Sequence, residues 1–346
     1  MNELSQFCRS LKKDFTPKIQ DASSPVRSWS EKDLLEGKVV DAYIIIFRTR
    51  GCSWALNSGC TMCGYFNDSM WGKVSDEDLL KQFNTAMEKY SGEKIVKIFT
   101  SGSFLDDSEI KTEIGNKIIR QLAKKADKIS VESRPEYITT KRMKGIKDII
   151  QSKTFEVGIG LETANDIIRE YSINKGFTFE DYEKAVKILK KYEFKLKTYV
   201  LIKAPFLTEK ESIEDCINTV DKIKKYTDII SFNPTNVQRN TLVEYLWKRR
   251  QYRPAWLWSI IEVLKESKRI AKDIQIKCDV AGGGNSRGAH NCRNCDHQIL
   301  KAIKSFSLSQ NVKEFDNLDC ECKEKWYDQL DIENLSFGSL VDFPGG

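Results

Sequence analysis

Three cysteines near the start of the chain have the spacing of a metal-cluster ligand set. They are Cys52, Cys60 and Cys63, in the pattern C-x7-C-x2-C. Thiolates at three positions can bind three irons of an iron–sulfur cluster and leave a fourth iron free to bind a small chelating group and pass an electron to it. Zinc takes four ligands and no fourth Cys or His lies nearby, so a structural zinc site is the weaker alternative. Three unrelated thiols are the other alternative.

A second group of cysteines lies near the C-terminus. It consists of two close pairs, Cys292 with Cys295 and Cys320 with Cys322. Two such pairs predict a structural zinc site, for which Cys278 or His290 are alternative ligands. Reduced, unpaired thiols and a second iron–sulfur cluster are the other interpretations.

The composition is that of a globular protein in a reducing compartment. The chain has 346 residues, of which 40% are hydrophobic and 31% charged, and ten are cysteines. No apolar run approaches the ~20 residues that cross a membrane, and the N-terminus lacks the apolar core of a signal peptide. We therefore expect a cytoplasmic protein with no membrane partner. The net charge of +6 fits either a solvated lysine-rich surface or a surface for nucleic acid.

Short apolar runs alternate with amphipathic stretches and predict the elements that position these cysteines. The runs predict strands at 41–48, 95–101, 128–133, 155–161, 196–202 and 227–232, with 273–278 as a candidate seventh. Apolar residues at three- and four-residue spacing predict helices at 76–90, 108–128, 139–151, 178–192 and 208–226.

This alternation predicts an α/β fold with a parallel sheet and crossover helices. Six such units favour a partial (β/α)6 barrel of the TIM type, formed by residues 1–235 with a short N-terminal extension. We expect residues 236–346 to form a C-terminal zinc-binding extension. In such barrels the chemistry lies at the C-terminal ends of the strands, where the first cysteine group falls.

The cysteine segment resembles the radical S-adenosylmethionine (SAM) superfamily. The commonest spacing there is C-x3-C-x2-C, and the longer first interval here resembles the branch that includes the Elongator catalytic subunit. The segments GCSWALNSGCTMCGY, ESRPEY and RGAHNCRNCD together resemble the radical SAM family of archaeosine synthesis. This resemblance extends over nearly the whole chain, from about residue 29 to residue 326.

The resemblance implies a lyase that holds a [4Fe-4S] cluster at Cys52, Cys60 and Cys63 and uses SAM. Its substrate would be the lysine adduct of 7-cyano-7-deazaguanine at position 15 in the D-loop of tRNA. A 5′-deoxyadenosyl radical would lead to cleavage of the lysine C–N bond, which leaves archaeosine. The implied partners are tRNA, an electron donor and a lysine-transferring archaeosine synthase subunit related to tRNA-guanine transglycosylase.

The resemblance also implies which residues contact the cofactor and the substrate. The candidates for binding SAM are Tyr65, Ser101, Gly102, Ser103, Glu132, Arg134 and Glu162, with Glu162 also placed at the barrel mouth as a catalytic candidate. Lys203 and Arg239 are candidates for the lysine carboxylate, and Asn233 or Glu162 for its ammonium. An interior salt-bridge network is the alternative for Glu132, Arg134 and Glu162, and a surface role is the alternative for Lys203 and Arg239.

Two other functions remain open at this point. One is a different radical SAM enzyme that modifies tRNA. The other is a non-catalytic, zinc-bearing RNA-binding subunit, which predicts zinc at both cysteine groups and no affinity for SAM. The basic, tryptophan-rich stretch 247–258 is consistent with RNA contact or with an aromatic patch that seals the barrel.

Overall fold

A computed structural model describes residues 2–13, 15–16 and 20–336. The strands are β1 (Arg27–Leu35), β2 (Lys38–Ile46), β3 (Ile95–Phe99), β4 (Lys128–Glu132), β5 (Thr154–Glu162), β6 (Lys195–Ile202), β7 (Ile229–Pro234) and β8 (Gln275–Cys278). The helices are α1 (Glu3–Ser10), α2 (Ser53–Asn57), α3 (Asp76–Met87), α4 (Thr112–Ala123), α5 (Thr140–Ile150), α6 (Asp166–Ile168), α7 (Phe179–Lys191), α8 (Glu209–Ile223), α9 (Leu242–Lys248), α10 (Leu257–Ile270), α11 (Asp296–Ser309) and α12 (Cys322–Ser336).

The eight strands form one sheet in sequence order, curled into a half-barrel. All neighbouring strands from β2 to β8 are parallel. The six predicted strands correspond to β2–β7, and the candidate seventh to β8. Parallel strands joined by helices place all their C-terminal ends at one edge of the sheet, which is where the predicted site residues follow their strands.

Strand β1 was not predicted, and it pairs antiparallel with β2 at the edge of the sheet. The two strands are joined by Glu36 and Gly37, which both have positive φ, +50° and +76°. Such a two-residue turn is typical of a β-hairpin. The charged sequence RSWSEKDLL has no apolar run to signal a strand, and its Asp33 is buried against Lys97 inside the half-barrel.

The two faces of the parallel strands are both buried, but only one is apolar. In β4, Ile129 and Val131 pack in the apolar core beneath the helices. Lys128 and Ser130 alternate with them and are also buried, 7% and 1% exposed. Because successive side chains of a strand point to opposite faces, the polar set lines the inside of the half-barrel.

Ion pairs fill the inside of the half-barrel, where a closed barrel would hold layers of branched apolar side chains. Glu156 of β5 binds Lys128 of β4 and, at 2.7 Å, Lys197 of β6. Its carboxylate is 1% exposed. Burial acts to raise the pKa of Glu156, but the two lysines outweigh it and hold that pKa well below its usual value.

A second ion-pair group joins the two outer strands. Asp33 of β1 binds Lys97 of β3 and Lys277 of β8, each at 2.5 Å. Burial acts to raise the pKa of Asp33, but Lys277 and Lys97 hold it well below its usual range. Burial, and then Lys97, lower the pKa of Lys277 to about 8.

The predicted helices correspond to α3, α4, α5, α7 and α8. Ser75 and Thr178 both form capping boxes, with Asp78 and Asp181 respectively. Helix α4 begins four residues later than predicted. The reason is that Asp106 accepts hydrogen bonds from Ser108, which keeps the residues before Thr112 in a loop.

The C-terminal part of the chain contributes both to the sheet and to a separate layer. Strand β8 pairs with β7, whereas α10 packs on α8 and α12 also contacts α8. The division of the chain at residues 235 and 236 stays a prediction. In the part of the chain that the structure describes, no helix combines the length and apolar character of a membrane span.

Candidate active site

The cysteine loop, residues 50–65, follows β2 at the C-terminal edge of the sheet. Cys52 is the N-cap residue of α2. Five of the seven residues between Cys52 and Cys60 form this short helix, after which Gly59 turns the chain with φ +93°. The backbone N–H of Cys63 donates to the carbonyl of Cys60 at 3.3 Å. All three cysteines are partly accessible.

The three thiols influence one another. Burial and the neighbouring Cys60 and Cys52 raise the pKa of Cys63 to about 12, and burial and Cys60 raise the pKa of Cys52. A metal would have to displace these protons when it binds. Among the described residues, only the four C-terminal cysteines form a group within 4.8 Å of one another. The wider spacing here suits a cluster, in which each thiolate binds a different iron, better than one zinc ion.

A glycine loop after β3 lies directly against Cys52. A Cβ added to Gly102 would lie 2.6 Å from the Cα of Cys52, so no larger residue fits there. The backbone N–H of Ser103 donates to Glu109 at 2.6 Å, and the Thr49 hydroxyl donates to the same carboxyl at 2.5 Å. Burial raises the pKa of Glu109 to about 7. Glu109 thus holds the glycine loop to the start of the cysteine loop.

Arg134 follows β4 and lies against the cysteine loop. Its guanidinium stacks near Trp54 of α2 and Phe177, 5.4 Å and 5.3 Å from the ring centroids. It pairs with Glu136 at 2.5 Å and donates to the carbonyls of residues 175–176 at 2.8 Å and 3.4 Å. These three bonds leave two of the five N–H donors of the guanidinium for a ligand.

Glu162 ends β5 in a strained conformation and pairs with a lysine. Its φ is +70°, and the strand register shifts between Gly160 and Glu162. A bulge of this kind re-aims a side chain at the end of a strand. The carboxylate binds Lys175 at 2.5 Å, and both side chains are nearly buried. Burial acts to lower the pKa of Lys175, but Glu162 and Cys60 hold it above its usual value, which places this pair near the cysteine loop.

Glu132 and Tyr65 lie within electrostatic reach of each other beside the cysteine loop. Burial raises the pKa of Glu132, whose carboxyl accepts a hydrogen bond from the Tyr199 hydroxyl. Tyr65 is 58% exposed, yet the surrounding protein, Cys63 and Glu132 raise the pKa of its hydroxyl. The Ser101 hydroxyl donates to the Tyr65 carbonyl at 3.3 Å. The predicted SAM-binding residues are thus grouped around the cysteine loop.

The four C-terminal cysteines form a second candidate site. They are Cys292, Cys295, Cys320 and Cys322, and three of their Sγ–Sγ distances are 3.9, 3.6 and 3.7 Å. Four thiolates placed tetrahedrally around zinc at 2.3 Å would lie about 3.8 Å apart. The predicted alternatives lie outside this group: Cys278 is in β8, and the ring of His290 bonds to the Gly288 carbonyl at 2.8 Å.

Neighbouring donors act to lower the pKa of these cysteines, although burial outweighs them and raises the pKa of Cys295 and Cys322. The Trp258 indole donates to Cys322, and the Asn291 amide donates to Cys295, each at 3.4 Å. Burial acts to raise the pKa of Cys292, but backbone N–H groups and the neighbouring thiols lower it to about 7. Such outer hydrogen bonds orient and stabilise metal ligands, so the residues present fit a structural metal ion.

Comparison with known proteins identifies the family. A sequence model of the Radical SAM superfamily matches residues 46–216, which include the cysteine and glycine loops. The archaeosine synthase subunit beta of Methanosarcina acetivorans is 42% identical over 94% of this chain and 95% of that protein. Its namesake in Thermococcus kodakarensis is 41% identical over 86% of this chain and 94% of that protein. This chain belongs to the archaeosine synthase beta-subunit family of radical SAM proteins.

The fold agrees with this assignment. The [FeFe]-hydrogenase maturase HydG aligns over 98% of this chain and 83% of its own, with a TM-score of 0.51 and 10% identity. At that identity the likeness concerns the fold alone. Membership of the radical SAM superfamily implies an enzyme with a [4Fe-4S] cluster and SAM, and the cysteine loop has the ligand number and spacing for such a cluster.

The surroundings of Lys203 disagree with its predicted role as a ligand of the substrate. Its ammonium is buried, donates to the Leu207 carbonyl at 2.8 Å and lies 3.4 Å and 3.7 Å from Glu209 and Glu333. It therefore ties α8 to α12 and has a full set of partners within the chain. A buried cation held by two carboxylates is not free to receive a substrate carboxylate, so we remove Lys203 from the substrate candidates.

The other two substrate candidates remain accessible. Asn233 is half-buried at the end of β7. Arg239 is exposed, and its carbonyl accepts a hydrogen bond from the Asn67 amide at 3.0 Å, which places it beside the cysteine loop. Within the described ranges, its guanidinium forms no ion pair, so it can receive an anionic group.

The tryptophan-rich stretch is largely packed within the chain. Trp258 is 3% exposed. The Trp247 indole donates to the Ser286 carbonyl at 3.2 Å, and Arg253 lies over the Trp256 ring at 4.1 Å. These contacts favour the role of an aromatic patch that seals the barrel over base stacking.

Sequence reasoning missed Lys12, Lys175 and Tyr199, which all lie at this site. Lys12 is buried, and the thiols of Cys60, Cys63 and Cys52 are within its electrostatic reach. None of the three belongs to a short motif. Each reaches the site through contacts between elements far apart in sequence, which no local pattern of residues signals.

Proposed function

We propose that this protein is the radical SAM lyase that completes archaeosine in tRNA. It would cleave the lysine C–N bond of the lysine adduct of 7-cyano-7-deazaguanine at position 15 of the D-loop. The support is the near-full-length similarity to proteins named archaeosine synthase subunit beta. The match extends through the C-terminal extension, so it is not limited to the shared barrel.

The observation that carries the proposal is the contact between the cysteine loop and the glycine loop. The missing side chain of Gly102 lets the loop after β3 touch Cys52, so a group bound by one loop is within reach of the other. Cys52, Cys60 and Cys63 would hold the cluster, and Ser101, Gly102 and Ser103 would hold the methionine amino group of SAM. When bound, the cluster and SAM would supply an electron and a 5′-deoxyadenosyl radical.

Charged residues of the chain would orient the cofactor and the substrate. Arg134 keeps two free donors for a carboxylate. Glu132, which faces Tyr65 and Tyr199, would hold ribose hydroxyls. Lys175 binds Oε1 of Glu162, so Glu162 would receive an ammonium group through its other carboxylate oxygen. Asn233 is the neutral alternative for the same ammonium group.

The segment after β7 would exclude water from the radical. Gln238 accepts a hydrogen bond from the backbone of Gly64, and the Arg239 carbonyl accepts one from Asn67. This part of the chain therefore covers the cysteine loop. Exclusion of water protects a reactive intermediate from side reactions. Arg239, exposed at this border, would bind the lysine carboxylate of the adduct.

The name "subunit beta" of the relatives supports a heteromeric enzyme. The expected partners are tRNA, a lysine-transferring archaeosine synthase subunit and an electron donor. We further propose that the four C-terminal cysteines hold zinc, because their separations match a tetrahedral zinc site.

The test is anaerobic turnover of the reconstituted protein with SAM, dithionite and tRNA that carries the lysine adduct. Mass spectrometry would follow 5′-deoxyadenosine and the modified nucleoside. We expect the wild type to form both 5′-deoxyadenosine and archaeosine. Cys60→Ala should form neither, whereas Cys216→Ala, which removes a buried thiol outside both cysteine groups, should retain activity.

The outcomes separate the competing functions. Formation of 5′-deoxyadenosine without consumption of the adduct, with the partner subunit present, would indicate a different radical SAM reaction on tRNA. If both cysteine groups hold zinc and the protein does not bind SAM, the protein is a zinc-bearing RNA-binding subunit and not an enzyme.

A further inference from the structure

The long segment between Cys52 and Cys60 needs contacts with other parts of the chain to hold its conformation. In C-x3-C spacing the first two cysteines are four residues closer, whereas here the extra residues fold into α2. The C-terminal carbonyls of a helix lack partners within the helix. The carbonyls of Ala55 and Ser58 lie at this end, five and two residues before Cys60.

Lys12, from the segment after α1, supplies that support. Its Nζ donates to the Ala55 carbonyl at 2.8 Å and to the Ser58 carbonyl at 2.5 Å. The side chain is 8% exposed and its ammonium lies 4.9 Å from the centre of the Phe66 ring. A cation at the C-terminal end of a helix is also favoured by the helix dipole.

Gly59 makes room for this ammonium. A Cβ at Gly59 would collide with Nζ of Lys12, and the φ of +93° disfavours any other residue. The residue that directly precedes Cys60 is therefore shaped around the side chain of Lys12.

Helix α1 is fixed to the same loop by buried polar groups. The Ser5 hydroxyl donates to Asn174 at 2.8 Å, and the Asn174 amide donates to the Ser58 hydroxyl and the Gly59 carbonyl, both at 2.8 Å. All four residues are buried. Lys12 is thereby held in place rather than free to swing out.

We propose that Lys12 is a positioning residue for the iron–sulfur cluster, which fixes the Cys60 end of the loop and stabilises the reduced cluster by its charge. Cys60, Cys63 and Cys52 are all within electrostatic reach of its ammonium. A nearby positive charge favours the state with one more electron, so it raises the reduction potential. This inference rests on the proposed cluster at Cys52, Cys60 and Cys63.

The test compares three variants of the full chain after anaerobic reconstitution. Lys12→Met removes the charge and both hydrogen bonds but keeps most of the length of the side chain. Lys12→Arg keeps the charge. Lys13→Met is the matched control, because the neighbouring lysine is exposed. The measurements are the rate of iron loss to a chelator and the midpoint potential from a redox titration monitored by electron paramagnetic resonance.

We expect Lys12→Met to lose iron about tenfold faster than the wild type, as loss of charge-assisted hydrogen bonds would produce. Its midpoint potential should be more negative, and Lys12→Arg should recover most of that shift. Lys13→Met should match the wild type in both. Unchanged circular dichroism and zinc content would show that Lys12→Met still folds.

Two results would overturn the inference. One is a Lys12→Met protein with wild-type iron retention and potential. The other needs no variant: if an acylating reagent labels Lys12 of the loaded wild type as fast as Lys13, Lys12 is not held against the loop. Failure of the wild type itself to bind iron would instead refute the proposed cluster.

Discussion

Asp215 of α8 is a buried carboxyl outside the candidate active site, and it makes stability depend on pH. Burial raises its pKa to about 6 from its usual 3.8, although the Thr163 hydroxyl donates to it at 2.7 Å. The folded state therefore holds this proton more tightly than the unfolded state. The stability cost is complete above pH 6, about 3 kcal/mol at 1.4 kcal/mol per pKa unit, and disappears as the pH falls towards 4.

Asp215→Asn should remove this cost, because the amide oxygen still accepts from Thr163 and does not titrate. We expect the variant to melt at a higher temperature than the wild type at pH 7.5. The difference in melting temperature should shrink as the pH is lowered from 6 to 4.5. A difference that does not change with pH would contradict the assigned pKa.

At the scale of residues, the sequence pointed to side chains that belong to short motifs. It did not point to side chains that contact those motifs from parts of the chain far away in sequence. The cysteines were singled out because their spacing and chemistry are local, and Gly102 because the family resemblance placed a glycine motif at the end of its strand. Lys203 was predicted to bind substrate because it follows a strand at the C-terminal edge of the sheet. The sequence does not show that Glu209 and Glu333, which come from other elements, pair with its ammonium. Lys175 was missed because only the folded chain brings it to Glu162.

At the scale of elements, the ion pairs inside the half-barrel hold neighbouring strands together. Glu156→Gln would leave Lys128 and Lys197 buried with no full counter-charge. Breaking a buried ion pair by removal of one partner costs about 3–5 kcal/mol. We therefore expect a large fall in the melting temperature, measured by circular dichroism.

The matched control is Glu193→Gln, which breaks an exposed pair with Lys147. An exposed pair is screened by solvent, so little change in melting temperature is expected. Equal effects of the two substitutions would show that the interior pairs do not stabilise the sheet.

The order of strands and helices was predictable because each parallel strand is an apolar run with its own amphipathic helix. The antiparallel strand β1 was not predictable from the sequence. Its charged residues are typical of an exposed segment, and only the folded structure shows that the interior of the half-barrel is polar. Lys97 shows the same limit: it is 4% exposed, but its burial depends on Glu31 and Asp33 from β1.

At the scale of the whole molecule, the C-terminal cysteine site fixes α12 to the rest of the protein. Cys322 begins α12, and the Trp326 indole donates to the Ser259 hydroxyl of α10 at 2.8 Å. We expect Cys320→Ser to lose zinc and to expose residues 311–336 to limited proteolysis, mapped by mass spectrometry. Loss of a structural zinc site removes folding free energy directly.

His290→Gln is the control for this substitution, because the structure leaves His290 outside the cysteine group. It should retain zinc and resist the protease like the wild type. Zinc loss in His290→Gln, or full resistance in Cys320→Ser, would mean that the ligand set is different.

The two outer strands of the sheet, β1 and β8, are joined by the side chains of Asp33 and Lys277 and by no shared backbone ladder. The distance between β1 and β8 can therefore change at a lower energetic cost than the distance between two strands that share backbone hydrogen bonds. It can increase while every strand keeps its backbone hydrogen bonds, and it is resisted by this ion pair and by the packing of α11 against β1. Since the pKa of Lys277 is about 8, the stiffness of this opening would fall in mildly alkaline solution.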